Sequence, residues 1–327
     1  MKAAWYAAPG AARDVLRLGE IEPPTPRPGE VLVRVHASAP NPSDVKLRAG
    51  LRGDGTLPFE SIVPHSDGAG EIAALGDGVT GRAVGERVYI WNGQWQRPCG
   101  TCAQYIAVPA EQAPRLPDAV GMREGACIGI PVMTAHHAVL ADGPVDGQTV
   151  LVTGGAGRVG RYAVELAKFG GAHVIATVSS ADKAELARQA GADTVVDYRE
   201  TDVAAAVLAH APAGVDRIVE VALGANIETS ARVLKADGRI AAYGSEGVPR
   251  PELPFHALMF KNAVIHTLLI YRVTGSARDA MVRDLDTVLS DGRLSFPIAE
   301  TYPLDRVAAA HEAVEAGRIG SVVVDIP

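Results

Sequence analysis

Hydrophobic and polar positions divide the chain into two parts with different patterns. Over residues 1–125, glycine and proline separate short runs rich in β-branched and other apolar residues, as at 31–35, 70–75, 87–90 and 105–108. Runs of this length, bounded by turn-forming residues, are typical of β-strands. We therefore predict an irregular β-barrel for the first part of the chain.

From about residue 149 the pattern changes to apolar runs that alternate with helix-length segments. Near-continuous apolar runs predict strands covered on both faces of a sheet, and the helices between them predict parallel order. The segment 203–209 is predicted as helix. The predicted strands are residues 149–153, 173–177, 194–197, 217–221, 239–243 and 263–269. Together they predict an α/β fold with a doubly wound parallel sheet.

The end of the chain again has a mixed pattern. A helix predicted over 276–290 is followed by a segment, 294–327, in which Pro297 and Pro303 interrupt helix and residues 321–326 have a strand pattern. A chain of 327 residues exceeds the roughly 250–300 at which one core stops growing, so we expect two domains. The predicted division is 1–122, 123–292 and a tail, 293–327, that returns to the first domain.

Composition narrows the class of protein. The chain is 47% hydrophobic with a formal net charge of −7 and no basic tract, which disfavours a nucleic-acid partner. Pro9 and Gly10 follow the start before a signal-length apolar stretch, and no later segment has about 18 uninterrupted apolar residues. The three cysteines, Cys99, Cys102 and Cys127, are too few for a disulfide-stabilised secreted fold. We expect a cytoplasmic protein with no membrane partner.

The strongest chemical signal is the segment 150–160, VLVTGGAGRVG, where an apolar strand runs into glycines and then into a helix. Glycines at this place permit a tight turn and close approach of the backbone to a diphosphate, and the helix N-terminus supplies N–H groups and a positive dipole end. The alternative is that the glycines only form a turn. The predicted dinucleotide-binding residues are Gly154, Ala156, Gly157, Arg158, Val159 and Gly160.

The residues after the second predicted strand indicate which dinucleotide binds. Enzymes that use NAD place an acid about 20 residues past the loop, where it holds the ribose 2′-hydroxyl. Here the strand is followed by Ser179, Ser180 and Lys183, whose hydroxyls and cation suit a 2′-phosphate. We therefore predict NADPH as the cofactor. The alternative is that Ser180 caps the next helix and Lys183 is a solvated surface residue.

Several motifs outside the loop form a further pattern: APNPSD at 39–44 with RAG at 48–50, SDGAG at 66–70, GACIGIP at 125–131 with TA at 134–135, VEV at 219–221, DGRI at 237–240, GSEG at 244–247 and GRIG at 317–320. With these motifs the chain resembles the quinone oxidoreductase, or zeta-crystallin-like, branch of the medium-chain dehydrogenase/reductase superfamily. The resemblance covers nearly the whole chain. It implies a GroES-like catalytic domain made from both chain ends, an inserted Rossmann domain, and an active site in the cleft between them.

The same resemblance implies roles for individual residues. Asn41 would lie near the nicotinamide and the substrate, and Thr134 would contact the nicotinamide side. Ser179, Lys183 and Tyr198 would surround the adenosine ribose and its phosphate. Other residues would line the rest of the cofactor groove or, from the tail, reach the phosphate: Asn226, Tyr243, Gly244, Ser245, Leu268, Leu269, Ile270 and Arg318. A homodimer formed through 263–270, or a tetramer, is also implied.

Three residues depart from the pattern of the branch. Lys46 stands where many relatives carry tyrosine, His65 replaces a common glycine, and Glu246 takes a place that is often basic. Lys46 puts in doubt the contacts that the tyrosine ring makes in relatives. His65 and Glu246 put in doubt part of the contacts to the phosphate groups. Asn41, Lys46 or a bound water would then polarise the acceptor oxygen, with Thr134 completing the predicted catalytic set.

The residues at the positions of zinc ligands predict that no metal takes part. Zinc-dependent relatives use a cysteine after the third strand and a histidine before an acidic residue, where this chain has Asn41 and Ser66. The four-cysteine lobe of a structural zinc is absent. Cys99 and Cys102 have CxxC spacing but no second pair, so we predict an ordinary turn there. The adjacent histidines at 136 and 137 are expected to point in different directions on a helix.

The predicted activity is hydride transfer from NADPH to an electron-poor conjugated acceptor such as a quinone. A second hypothesis is an NADPH-dependent enone or alkenal reductase. A third, of another class, is a dinucleotide-binding protein with little catalysis, of the crystallin or RNA-binding kind. Trp91, Trp95 and Tyr89 fall in one stretch and would suit a planar substrate, and the alternative is that they pack in the core.

Overall fold

The computed structural model describes residues 1–327. It contains a mixed β-sheet mainly in the first part of the chain and the predicted parallel sheet in the second. The strands are β1 (Lys2–Trp5), β2 (Arg17–Glu20), β3 (Glu30–Ala39), β4 (Asp67–Leu75), β5 (Arg87–Ile90), β6 (Tyr105–Pro109), β7 (Thr149–Val152), β8 (His173–Val178), β9 (Thr194–Asp197), β10 (Val215–Glu220), β11 (Leu234–Ala242), β12 (Val264–Thr267), β13 (Ile298–Pro303) and β14 (Ser321–Asp325). The α-helices are α1 (Ala12–Val15), α2 (Pro42–Arg48), α3 (Met122–Gly125), α4 (Gly129–Leu140), α5 (Arg158–Phe169), α6 (Ala181–Gln189), α7 (Val203–His210), α8 (Leu223–Val233), α9 (Phe255–Met259), α10 (Gly275–Ser290) and α11 (Val307–Glu315).

The chain folds into two compact units. The first contains residues 1–130, 282–292 and 296–327, and the second contains residues 131–281 and 293–295. The first boundary, after residue 130, lies later in the chain than the predicted one after residue 122. The second half of α10 belongs to the first unit. The predicted division at 122 and 292 stays a prediction.

The first unit is built on a mixed sheet in the order β13-β14-β3-β4-β5, with β6 also paired to β3. β3 is its longest strand, and Val31, Val33 and Val35 on one face are all buried. This alternation is the period-2 pattern of a half-buried strand. β14 pairs antiparallel with β3 at Val324 and Ser38, so the last strand of the chain belongs to this unit.

The second unit is a fully parallel sheet in the order β12-β11-β10-β7-β8-β9. β7, β8 and β10 are buried along nearly their whole length, which explains their continuous apolar pattern. The chain moves outward from β7 in both directions, so the sheet is doubly wound and its switch point lies between β7 and β10. Ligands of such sheets bind at the carboxyl ends of the strands.

Some elements differ from the predictions. The predicted strand 263–269 is shorter in the structure, from Val264 to Thr267, and a 3₁₀ turn over Ile270–Arg272 begins after two intervening residues. The pattern did not predict β13 or α11 within the tail. β13 alternates half-buried with exposed positions and carries polar residues, so its apolar signal is weak. None of the helices has the length and apolar composition that crossing a bilayer requires.

Candidate functional site

The turn after β7 has a geometry that only glycine accommodates. Gly154 has a φ of +67°, a conformation that side chains disfavour. A Cβ built on Gly160 would lie 2.1 Å from the Gly154 carbonyl oxygen, and one on Gly155 would lie 2.7 Å from the Cβ of Ala176. Close packing of β7, β8 and α5 therefore requires these glycines, whether or not a ligand binds.

The start of α5 presents backbone donors beside this turn. The helix begins at Arg158 after an N-cap, Gly157, that makes no side-chain cap hydrogen bond. The first N–H groups of an α-helix point out of its N-terminus, where the positive end of the helix dipole lies. Backbone amides on a glycine turn fit the diphosphate of a dinucleotide. Ala156 completes the turn.

A hydroxyl and a cation meet at the carboxyl end of β8. The Nζ atom of Lys183 donates a hydrogen bond to Ser179 Oγ at 2.9 Å. The N–H of Tyr198, after β9, donates to the Val178 carbonyl at 3.0 Å, which places Tyr198 next to Ser179 with its side chain half exposed. Ser180 has the role of the alternative interpretation, since its Oγ caps α6 by accepting from the Lys183 N–H.

A buried carboxyl group connects the ends of β7 and β10 at the switch point. Glu220 Oε1 accepts from Thr153 Oγ1 at 2.9 Å, from the Ala222 N–H at 2.6 Å and from Asn226 Nδ2 at 2.9 Å. Its Oε2 atom is buried without a hydrogen-bond partner. Burial raises the pKa of Glu220 above its usual value. Glu220 was not among the predicted site residues, although it lies in the VEV motif.

The remaining predicted groove residues of the second unit lie beyond the carboxyl ends of β10, β11 and β12. Asn226 is fixed by Glu220, and Ser245 Oγ accepts from the Gly224 N–H at 2.8 Å. The Leu268 N–H donates to the Ala242 carbonyl at 2.8 Å, so the segment after β12 follows the end of β11. The region beyond the carboxyl ends of these strands therefore holds the following predicted residues: Asn226, Tyr243, Gly244, Ser245, Leu268, Leu269 and Ile270.

Two further predicted cofactor contacts lie on other parts of the chain. Thr134 lies on α4 and is buried. Arg318 belongs to the first unit, where its Nε atom pairs with Glu300 Oε1 at 2.9 Å. Its charge is therefore matched by a carboxylate, and its predicted contact with a phosphate stays a prediction.

In the first unit, the candidate catalytic amide is held by a carboxylate. Asn41 Nδ2 donates to Asp67 Oδ2 at 2.7 Å, and the Ile130 N–H also donates to the Asp67 carboxylate, at 2.8 Å. The Asn41 N–H donates to Asp44 Oδ2 at 2.7 Å at the start of α2. Asn41 is buried, and Lys46 follows on the same helix, half buried.

The positions of zinc ligands in zinc-dependent relatives belong to this same network. Asn41 contacts Asp67, and Ser66 Oγ donates to Asp44 Oδ1 at 3.2 Å. An amide and a hydroxyl replace the thiolate and imidazole that tetrahedral zinc prefers. The structure places no three His, Cys, Asp or Glu side chains in an arrangement that could hold a metal ion.

The other chemically suggestive residues have structural surroundings. All three cysteines are free thiols, and burial raises the pKa of Cys99 and of Cys102. His136 is buried on α4, whereas the His137 ring packs edge-on against His266 with centroids 5.3 Å apart, so the adjacent rings have different environments. Tyr89 and Trp91 are buried, as the core-packing alternative requires.

Sequence reasoning missed the acidic partners of the predicted residues. Asp44 and Asp67 were both within the quoted motifs, but their hydrogen bonds to Asn41 and Ser66 depend on the folding of α2 against β4. Glu220 carried a signal that was available: an acid at the end of an otherwise apolar buried strand requires polar partners. Thr153, at the end of β7, is one of them.

Comparisons with known proteins agree with this architecture. A family model described as alcohol dehydrogenase GroES-like domain matches residues 27–141, and one described as zinc-binding dehydrogenase matches residues 159–287. Human quinone oxidoreductase is 29% identical over 93% of this chain and 91% of its own length. Quinone oxidoreductase of Pseudomonas aeruginosa is 30% identical over 98% of each chain.

Solved structures give the same assignment. A mycobacterial quinone oxidoreductase has a TM-score of 0.89 at 29% identity over 99% of both chains. A mycobacterial protein in complex with NADPH has a TM-score of 0.85 at 29% identity, covering 99% of this chain and all of its own. A 2-haloacrylate reductase has a TM-score of 0.86 at 29% identity over 99% of both chains. The chain is therefore an oxidoreductase and belongs to the quinone oxidoreductase branch of the medium-chain dehydrogenase/reductase superfamily.

Proposed function

We propose that this chain is a zinc-independent oxidoreductase that reduces quinones or similar conjugated acceptors by hydride transfer from NADPH. The observation that carries the proposal is the hydrogen bonding of Asn41 to Asp67 and of Ser66 to Asp44. At these two positions zinc-dependent relatives place metal ligands. Here both side chains are buried and paired with carboxylates, which suits a site that works without a Lewis acid.

The second unit supplies the residues for the cofactor. NADPH, when bound, supplies the hydride. The first-turn amides of α5 hold its diphosphate, and Ser179, Lys183 and Tyr198 surround the 2′-phosphate. Thr134 contacts the nicotinamide side. The pairing of Lys183 with Ser179 and the absence of an acid at the end of β8 support NADPH over NADH.

The first unit supplies the residues for the acceptor. Asp67 accepts a hydrogen bond from one N–H of the Asn41 amide and so fixes the orientation of that amide. We assign Asn41, together with Lys46, to polarise the acceptor oxygen as negative charge develops on it. Quinone oxygens take protons from water, so reduction requires no dedicated acid.

A second candidate function is supported by one comparison. The similarity to a 2-haloacrylate reductase favours an NADPH-dependent reductase of conjugated C=C bonds on the same scaffold. In that reaction hydride goes to the β-carbon and a proton to the α-carbon.

Steady-state assays separate these functions. A panel of quinones and a panel of enals are offered to the protein with NADPH and, separately, with NADH. We expect turnover of quinones and a higher kcat/KM with NADPH. Turnover confined to enals assigns the second function, and a preference for NADH contradicts the cofactor assignment. Tight NADPH binding without turnover of any acceptor assigns the protein to the non-catalytic dinucleotide-binding class.

We further propose that the protein is a cytoplasmic homodimer. β12 is the edge strand of the parallel sheet, and exposed apolar side chains lie at and before it, including Phe260 at 81% and Val264 at 42% exposure. An exposed apolar edge favours strand pairing with another chain. The three free thiols are consistent with a reducing compartment.

A further inference from the structure

A chain of buried hydrogen bonds runs through the first unit from α11 to the strand that carries Asp67. His311 Nε2 lies 2.8 Å from His65 Nε2, and His65 Nδ1 lies 2.7 Å from Ser38 Oγ. Ser38 Oγ lies 2.7 Å from Thr101 Oγ1, which lies 2.6 Å from the Asp67 carbonyl oxygen. The side chains of this polar chain, His311, His65, Ser38 and Thr101, are wholly inaccessible to solvent.

The Asp67 carbonyl at the end of this polar chain determines the direction of every hydrogen bond in it. A carbonyl only accepts, so Thr101 donates its single hydroxyl proton to Asp67. Ser38 must then donate to Thr101, and its Oγ accepts from Nδ1–H of His65. His65 therefore has a lone pair at Nε2 and accepts from Nε2–H of His311. Each histidine is thereby restricted to one neutral tautomer.

His65 adopts a backbone conformation that is unfavourable for a residue with a side chain. Its φ is +77°, in the region that favours glycine, and it is the residue before Ser66. Glycine would adopt this backbone without strain. The imidazole nevertheless lies with its ring centroid 5.0 Å from that of His311 and uses both nitrogens in hydrogen bonds. The burial of both rings lowers their pKa values and keeps them neutral.

The far end of the polar chain contacts the residue that orients the candidate catalytic amide. Thr101 binds the backbone carbonyl of Asp67, and the carboxylate of the same residue binds Asn41 and the Ile130 N–H. Any movement of the Asp67 backbone changes the position of its carboxylate. The rotation of the Asn41 amide then changes with it.

We propose that His65 and His311 are positioning residues, which fix Asp67 through Ser38 and Thr101 and thereby orient Asn41 toward the acceptor. This inference rests on the proposed function for the role of Asn41. It assigns a catalytic consequence to α11, an element near the chain's end that carries no residue of the site itself.

Three variants test the proposal through kinetics. His311→Phe keeps an aromatic ring but removes the donor to His65, whereas His311→Gln keeps an N–H donor. Glu312→Gln is the matched control, because it changes the next residue of α11 and removes only a surface ion pair with Arg13. The readouts are kcat with 1,4-benzoquinone, KM and Kd for NADPH, and the primary isotope effect with NADPH deuterated at the transferred position.

We expect His311→Phe to lower kcat about 10-fold, because sub-ångström misplacement of a reacting group is costly. The isotope effect should rise, while the Kd for NADPH should stay within about 2-fold of that of the unaltered protein. His311→Gln should recover most of the rate, and Glu312→Gln should leave it unchanged. An unchanged kcat in His311→Phe overturns the proposal, as does an equal loss in His311→Gln.

Measurements without turnover separate this inference from the proposed function. In the unliganded protein, ¹⁵N NMR should show His65 protonated at Nδ1 and His311 protonated at Nε2. The Ile130 amide should exchange with solvent about 10-fold faster in His311→Phe, or in Ser38→Ala if the first variant does not fold, and at the unaltered rate in Glu312→Gln. The opposite tautomers, or unchanged exchange, overturn the proposal even if the enzyme reduces quinones. If no acceptor is reduced but the tautomers and the exchange rates are as expected, only the proposed function is overturned.

Discussion

At the scale of single residues, the site depends on side chains whose orientation is set by one close neighbour. Lys183 is oriented by Ser179 at 2.9 Å, and Asn41 is oriented by Asp67 at 2.7 Å. Such pairs restrict rotamers before a ligand arrives, which lowers the entropy cost of binding.

Removal of the Lys183 ammonium tests the cofactor assignment. We expect Lys183→Ala to raise the Kd for NADPH about 10-fold or more and to leave the Kd for NADH nearly unchanged, because a charge-assisted contact to a phosphate contributes about 1.5–3 kcal/mol. Protein fluorescence titration gives both constants. Arg188→Ala is the matched control on α6, where Arg188 faces only Glu185. Equal weakening of both dinucleotides would contradict a 2′-phosphate contact.

The two buried histidines predict a pH dependence of stability. The unfolded pKa of histidine is about 6.5, whereas burial lowers the pKa of His65 to about 3 and that of His311 well below its usual value. Below pH 6.5 the unfolded state therefore binds more protons than the folded state, and the free energy of unfolding falls as the pH falls. Arg48, beside His311, acts in the same direction.

Urea unfolding between pH 6 and pH 4.5 measures this effect. Replacement of one histidine in His311→Gln should reduce the slope of the free energy of unfolding against pH by up to about 1.4 kcal/mol per pH unit. Glu220, whose pKa is raised, contributes a slope of the opposite sign that is common to both proteins and cancels in the comparison. Identical slopes would mean that His311 is protonated in the folded state.

At the scale of elements, the junction of β7 with α5 combines close packing with the proposed binding of the diphosphate in one turn. The glycines permit α5 to approach β8 closely, and the same turn exposes the first amides of the helix. A single methyl group at Gly160 would affect both properties.

Gly160→Ala should therefore abolish measurable NADPH binding and lower the free energy of unfolding by about 1–3 kcal/mol, because its Cβ would meet the Gly154 carbonyl oxygen at 2.1 Å. Gly247→Ala is the matched control, since a Cβ there has nothing within 4 Å. Calorimetric titration with NADPH and thermal unfolding give the two quantities. Normal binding by Gly160→Ala would show that the turn does not hold the diphosphate.

The sequence allowed the parallel sheet and its glycine turn to be predicted because their signals are local. Buried strands such as β8 are mostly apolar, and the turn after β7 needs glycine at fixed places. The hydrogen bonds that complete the site were not predictable, because they join distant positions. His65 and His311 lie 246 residues apart, and neither one by itself indicates a partner.

At the scale of the whole molecule, the exposed apolar residues near β12 bear on assembly. Phe260, exposed by 81%, precedes an edge strand with unpaired backbone groups. If two copies pair through this edge, a charge placed at residue 260 would have to be buried in the dimer.

Phe260→Glu should thus shift the protein toward the monomer, with the mass measured by light scattering after size-exclusion chromatography. Leu51→Glu is the matched control, since Leu51 is similarly exposed at 75% but belongs to the first unit. The control should keep the mass of the unaltered protein. A monomeric unaltered protein, or an unchanged dimer in Phe260→Glu, would contradict assembly through this edge.

We propose hydride transfer without a metal, by a site in which carboxylates hold Asn41 and Ser66. Its most direct test is the rate of quinone reduction by NADPH after exhaustive removal of divalent metals with chelators, with the zinc content measured in the same samples. Hydride transfer without a metal predicts an unchanged kcat at negligible zinc content. Loss of turnover on chelation, restored by added zinc, would contradict it.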